Sequence, residues 1–287
     1  MRKVTVDSKF DGKNLNSFLS FCFPNLKQNM FFKALRQKDI KVNGVRIKEN
    51  ITINNGDIIE IFISDEFLLG KSIYLKVVYE DENILVIDKP SGISVTEESD
   101  SNSIYLTKIV KEQFGNNCEP CHRLDRNTLG IVLFAKNEES EKILLDKFKN
   151  HEIEKHYKAL IYGIPKEEHK ILEDYLFKDS KKNIVYISNS PKKGYQKIVT
   201  EYKVLNKNIE NNTSELDVNL HTGRTHQIRA HLAYIGHPII GDGKYGDNSI
   251  NKKFKKSTQE LVSYKLIFRF KTEAGILNYL NGLEISI

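Results

Sequence analysis

Residues 130–135, Gly-Ile-Val-Leu-Phe-Ala, run without a polar side chain. A run this short, ahead of a separate helical pattern, reads as a fully buried strand. Immediately before it stands HRLDRNTLG (122–130), where Arg123 and Arg126 flank Asp125. A carboxylate at the entrance of a buried strand, beside arginines, is held ionised by the opposite charge. An ionised, fixed Asp can serve as nucleophile, base or electrostatic stabiliser. A purely structural Asp–Arg pair uses the same residues, and on the residues alone that reading is favoured.

Around this run the chain alternates short β-rich segments with few helices. YLKVVYE and ILVIDK precede it, separated by Asp81-Glu82-Asn83, and Lys89-Pro90-Ser91-Gly92 forms a turn. HYKALIYG, IVTEYKVL and ELDVNLH follow as strands, with more strands towards the end. Helical spacing predicts helices over 104–114, over 138–150 (Ile143, Leu144 and Phe148 on one face) and over 225–235, the last stopped at Gly236-His237-Pro238. Many strands with few intervening helices give an α+β domain on a mixed, mainly antiparallel sheet.

The first 64 residues have a different pattern. Leu15, Phe18, Leu19 and Cys22 mark a short helix limited by Pro24, and Phe31, Ala34 and Leu35 mark a second. Lys33 and Arg36 share a face of the second helix, with Lys38 just beyond. Asn43-Gly44 is a hairpin turn, and IIEIFI is a strand after Gly56-Asp57. Residues 1–64 carry 11 Lys/Arg against 6 Asp/Glu, whereas the remainder is nearly balanced within an overall charge of +6. A small basic unit before a nearly neutral one suits a polyanion-binding module, although a solvated lysine-rich surface has the same composition. The expected division is 1–64, a connector at 65–75, and a larger domain at 76–287.

Several motifs fail on geometry or context. CEPCH (118–122) matches a haem-attachment pattern, but the N-terminus has no apolar core of an export signal. Cys118 and Cys121 have no second Cys/His pair to complete a zinc site. In HEIEKH the histidines are five apart, which turns them apart by roughly 140° on a helix. His226 and His231 share that defect. Phosphate-loop, dinucleotide and nucleophile-elbow motifs are missing, as is any apolar run long enough to span a bilayer. Three cysteines in 287 residues suit a reducing compartment. The expectation is a cytoplasmic monomer with no metal, cofactor or membrane partner.

From about Leu75 onward the chain resembles the RluA-type RNA pseudouridine synthases. YEDENILVIDKPSGISV (79–95), HRLDRNTLG (122–130), KHYKALIYG (155–163) and HTGRTHQIRAHLAYIGHPIIGDGKYG (221–246) resemble the family's motifs in order. Residues 1–64, above all VNGVRIKENITINNGDIIEI (42–61), resemble the small α/β S-four-like RNA-binding domain that often precedes the catalytic domain. One departure is Leu129, where many members have Ser. It is expected to pack under the loop.

The resemblance implies a pseudouridine synthase fold and the isomerisation of uridine to pseudouridine in structured RNA. Ribosomal RNA of the large subunit is the expected substrate and transfer RNA the alternative. It implies Asp125 as the catalytic carboxylate, Tyr157 against the target base, and Arg224 paired with Asp125. Arg123 would fill the space left by the extruded uridine, and Lys33, Arg36 and Lys38 would contact phosphates. A non-catalytic RNA-binding or ribosome-assembly protein of the same fold would be expected to lose the Asp or its Arg partner. The motifs that hold Asp125 and Arg224 are intact.

Overall fold

Asn14 opens the first helix, α1 (Leu15–Cys22), by accepting a hydrogen bond from the Ser17 amide at 2.9 Å. The computed structural model describes residues 2–63, 74–97 and 105–287. The chain divides into two compact units, Met1–Tyr74 and Leu75–Ile287. Most of the expected connector at 65–75 lies outside the described residues.

In the first unit α1 is followed by α2 (Gln28–Gln37). A four-stranded sheet holds β1 (Arg2–Thr5), β2 (Ile40–Val42), β3 (Val45–Arg46) and β4 (Ile58–Ile61) in the order β1-β4-β2-β3. The α1 and α2 positions at helical spacing, Leu15, Phe18, Leu19, Phe31, Ala34 and Leu35, are all buried. They pack with Ile40, Ile53, Ile59 and Ile61 from the strands and loops as one core. The opposite side of α2 leaves Lys33 and Arg36 exposed, with Lys38 also exposed at its left-handed C-cap (φ 59°).

The second unit is α+β, built on one eleven-stranded sheet. Its strands are β5 (Lys76–Glu80), β6 (Ile84–Lys89), β7 (Glu119–Pro120), β8 (Leu129–Ala135), β9 (Ile153–Tyr162), β10 (His169–Asp179), β11 (Ile184–Ser188), β12 (Gln196–Asn208), β13 (Thr213–Leu220), β14 (Leu261–Phe268) and β15 (Glu284–Ser286). The main path runs β11-β10-β12-β13-β9-β14-β8-β6-β5, with β7 on β8 and β15 on β14. All pairings are antiparallel except β14 with β8. The helices are α3 (Leu106–Phe114), α4 (Glu138–Lys149), α5 (Gln227–Tyr234) and α6 (Asn248–Lys253).

The apolar run at 130–135 is explained by cover on both sheet faces. Val132 and Phe134 pack with Leu106 and Val110 of α3 and with Ile228 and Leu232 of α5. Ile131, Leu133 and Ala135 face the other way, onto Leu144 of α4 and onto Leu277, Leu280 and Ile285. Complete burial of one such side chain stabilises the fold by roughly 1.5–3 kcal/mol, so β8 is a fixed wall for whatever precedes it.

Besides β7, β10, β11 and a 3-10 turn at Ser8–Phe10, the elements not anticipated from the sequence include α6 and a 3-10 turn at Gly275–Leu280. The last two are short, and α6 is too polar to show periodicity. Helix α5 starts later than the spacing predicted, because His226 takes a left-handed conformation (φ 54°) that an α-helix cannot contain. Leu129 is exposed rather than packed under its loop, since it occupies the outward-facing first position of β8.

Candidate active site

Asp125 sits in the loop between β7 and β8, and that loop is pinned on two sides. On one side, the buried Lys89 at the end of β6 donates to the carbonyls of Pro90, Ile93 and Arg126 at 3.0, 2.9 and 3.0 Å. The Gly92 amide donates to the Arg126 carbonyl at 3.0 Å. On the other side, Gln259 Nε2 donates to Thr128 Oγ1 at 2.7 Å. Within the loop the Thr128 amide returns to the Asp125 carbonyl at 3.0 Å. Burial pushes Lys89 down to about 8, opposed by the charge of Asp125. The lysine of the Lys89-Pro90-Ser91-Gly92 turn thus acts as a three-way clamp under the carboxylate.

Arg229 is the cation that holds Asp125. Its Nη1 donates to Asp125 Oδ2 at 2.9 Å. Its Nε and Nη2 grip Asp242 through Oδ2 and Oδ1, at 2.7 and 3.0 Å. Asp242 is buried and also accepts from the amides of Lys244 and Tyr245 at 2.8 and 3.1 Å. Burial alone would raise the Asp242 carboxyl, but the guanidinium and the two amides hold it below the ordinary range. One arginine therefore spans a sealed carboxylate and a half-buried one. Asp125 Oδ1 accepts no hydrogen bond from the described residues.

The expected pairing of Arg224 with Asp125 is corrected by this geometry. Arg224 lies ahead of α5 in the 221–226 turn and is exposed, and its amide donates to Gln227 Oε1 at 3.1 Å. Arg229 is five residues on, in the first turn of the helix, where its side chain is directed into the buried interface. The sequence carried a signal for this. Arg229 lies three positions before Leu232, next to the apolar face marked by Ile228 and Leu232, where a charge must be paired.

A cavity of about 240 Å³ opens over Asp125. It is lined by Arg123, Tyr157, Arg224 and Arg229 together with Lys155 and His226. Tyr157 comes from β9, opposite Ser263 of β14, and is buried. Burial, then the charge of Asp125, raises its pKa, so it is a neutral phenol near neutral pH. His226 Nδ1 lies 2.8 Å from the Tyr245 hydroxyl, which accepts from the Val185 amide at 2.9 Å. Burial pushes His226 down to about 4. Of the four cations in the wall, only Arg229 is neutralised by carboxylates; Arg123, Lys155 and Arg224 have no ion pair among the described residues. Sequence reading missed Lys89, Lys155, Arg229 and Asp242. The structure brings the expected residues Asp125, Tyr157, Arg123 and Arg224 to one cavity. Lys33, Arg36 and Lys38 belong to the other unit.

The cysteines of CEPCH are buried free thiols, both pushed up in pKa by burial. Among the described residues no group of three or more His, Cys, Asp or Glu is placed to hold a metal ion, and no helix is long and apolar enough to cross a membrane.

A half-buried carboxylate fixed by a shared arginine, facing a neutral tyrosine in a cation-rimmed cavity, can perform acid–base or nucleophilic chemistry on a polyanion. The sequence model for RNA pseudouridylate synthases matches residues 83–234, which contain Asp125, Tyr157 and Arg229. The chain belongs to this family. It is 32% identical to a ribosomal large subunit pseudouridine synthase C of Rickettsia bellii, over 97% of this chain and 99% of that protein. It is 31% identical to an uncharacterized RNA pseudouridine synthase of Mycoplasma genitalium, over 93% of this chain and 88% of that one. Among solved structures, human RNA pseudouridylate synthase domain containing 1 shares the fold with a TM-score of 0.61 at 24% identity, covering 76% of this chain and 84% of that one.

Proposed function

We propose that this protein converts uridines of large-subunit ribosomal RNA to pseudouridine, with Asp125 as the catalytic carboxylate. The observation that carries the reading is the cavity in which Arg229 holds Asp125 by one oxygen and leaves the other free beside Tyr157. The substrate follows from similarity to ribosomal large subunit pseudouridine synthases over nearly the whole chain.

The reaction is an isomerisation. The bond from N1 of the base to C1′ of the sugar breaks, the base turns, C5 bonds to C1′, and the proton lost from C5 is balanced by one gained at N1. Asp125 Oδ1 either bonds C1′ as a nucleophile or takes a proton, and both roles need the carboxylate form. Tyr157, with its pKa raised, meets the base as a phenol that stacks or donates a hydrogen bond. Arg123 at the rim enters the stack that the uridine leaves, which offsets part of the few kcal/mol that unstacking costs. Arg224 joins the basic rim. Residues 1–64 serve as an accessory RNA-binding domain of S-four-like type, with Lys33, Arg36 and Lys38 against phosphates.

The test is to map pseudouridines in all RNAs from cells with and without the protein. The reading expects one or a few large-subunit positions to revert to uridine and to be restored by wild-type protein but not by Asp125→Asn. Sites lost only from transfer RNA would overturn the substrate. An unchanged map would overturn the activity.

A further inference from the structure

Lys155 stands two residues before Tyr157 on β9, so both side chains leave the sheet on the same face. It lines the Asp125 cavity together with Tyr157. Its position differs from that of each other cation there. Arg229 is spent on two carboxylates, and Arg123 and Arg224 are exposed to water. Lys155 is half-buried, and its ammonium has neither a hydrogen bond nor an ion pair among the described residues. Its ammonium lies 5.1 Å from the Phe148 ring centroid, and a side-chain carbon placed on Gly223 would come within 3.8 Å of it. It is therefore enclosed between an aromatic ring and the 221–226 turn.

A desolvated ammonium without a counter-charge is unfavourable. The Phe148 ring recovers part of that loss. Burial correspondingly lowers the lysine's pKa. An anion delivered by the substrate would remove the imbalance. RNA offers one kind of anion, the phosphodiester, since uracil and ribose are neutral. We propose that Lys155 is the phosphate-binding residue of the cavity, holding the phosphodiester next to the uridine that enters beside Asp125. The inference rests on the proposed RNA substrate. Lysine suits this task as a point charge that needs no bidentate partner. A grip on the phosphate adjoining the reacting ribose fixes C1′ relative to Asp125 Oδ1, so the contact contributes orientation as well as affinity.

The experiment uses the full-length protein and a short ribosomal RNA fragment containing a uridine that the mapping identifies. A series of fragments carries one neutral methylphosphonate at each linkage around that uridine. Binding is followed by fluorescence anisotropy across a salt series, and pseudouridine yield is measured separately, for wild type, Lys155→Met and Lys155→Arg. Lys155→Met should lower kcat/KM on the all-phosphate RNA by roughly ten- to a hundredfold. It should also make the log–log salt dependence of binding shallower by about 0.7–0.9, and Lys155→Arg should retain most of both. One methylphosphonate adjoining the target should impair the wild type by a similar factor and impair Lys155→Met no further.

Additive losses at every linkage, or an unchanged salt slope, would overturn the proposal and leave Lys155 a packing partner of Phe148. If Lys155→Met does not fold, Lys155→Gln replaces it, and the wild-type scan still decides. A wild type insensitive to every neutral linkage adjoining the target refutes a phosphate contact there. Absence of pseudouridine from the all-phosphate RNA with wild type would refute the activity instead, while the binding measurements would still report on Lys155.

Discussion

Asp125 and Asp242 take hydrogen bonds from one guanidinium, yet their surroundings assign them different work. Asp242 is sealed, with four hydrogen bonds to its two oxygens. Asp125 keeps one oxygen open to the cavity. Asp125→Asn preserves size and can still accept from Arg229, but it removes the negative charge. It is expected to reduce kcat by a factor on the order of 10⁴ or more, with RNA affinity little changed because binding is spread over many phosphates. Single-turnover yield and direct binding, measured on folded protein, check this. Equal loss of both would mark the residue as structural. A second residue-scale expectation concerns His122. Its Nε2 accepts from the Leu133 amide at 3.1 Å, so the ring is neutral with its proton on a buried Nδ1. Burial, reinforced by the charge of Lys155, pushes it down to about 3. Unfolding frees the ring to protonate near its ordinary value of about 6.5. The stability that depends on the neutral ring is thus present above that value and is lost as pH falls towards 3, with a slope of up to ~1.4 kcal/mol per pH unit. His122→Gln should flatten the denaturation free energy of the protein between pH 6 and 4 relative to wild type. An identical slope in the two proteins would show that His122 is not the titrating group.

At the scale of elements, the legible parts were those with a period or a turn signal. The helices α1, α2 and α4, the Asn43-Gly44 hairpin and the buried β8 all follow from apolar spacing that tertiary packing confirms. The arginine partner of Asp125 was not legible in the same way. HTGRTHQIR offers two arginines, and which of them turns inward depends on where α5 starts, which the left-handed His226 shifts. Lys89 and Asp242 were hidden for a related reason. Lys89 ends β6 and Asp242 stands in a turn, and the burial of each is created by a distant segment folding over it. The parallel contact of β8 with β14 has its own local requirement. Gly130 has φ 105°, and an added side-chain carbon would stand 2.1 Å from the Ser263 carbonyl oxygen. Only glycine lets the two strands meet directly behind the Asp125 loop, with Ser263 in turn opposite Tyr157. Gly130→Ala should destabilise the protein by roughly 2–5 kcal/mol through backbone strain and overpacking. It should also lower kcat more than an equally destabilising core change such as Phe134→Leu, because it pushes β8, which follows the Asp125 loop, away from β14, the strand that pairs with Tyr157 of β9. Chemical denaturation and turnover below the melting range check this, and a normal kcat in a destabilised protein would refute the link between that contact and the site.

At the scale of the whole molecule, two units have separate cores, and the residues proposed for catalysis all lie in the second. The basic excess leans towards the first, whose α2 presents Lys33 and Arg36 to solvent. That distribution argues for affinity in one unit and chemistry in the other. A protein beginning at Leu75 retains the sheet, the Lys89 clamp and the Asp125–Arg229–Asp242 bridge, so it should fold and convert a short RNA at a kcat near that of the full chain. On intact ribosomal RNA it should bind more weakly. Each phosphate that the protein no longer neutralises takes about 0.7–0.9 off the log–log salt slope, so removing Lys33, Arg36 and Lys38 should make the slope shallower by roughly 2–3. Replacing those three residues by Gln in the full chain should reproduce the slope change without altering turnover on the short RNA. A truncated protein that folds, by circular dichroism and cooperative melting, yet converts neither RNA would refute this division of labour. A truncated protein that binds ribosomal RNA with the full salt slope would place the phosphate contacts in the catalytic unit itself.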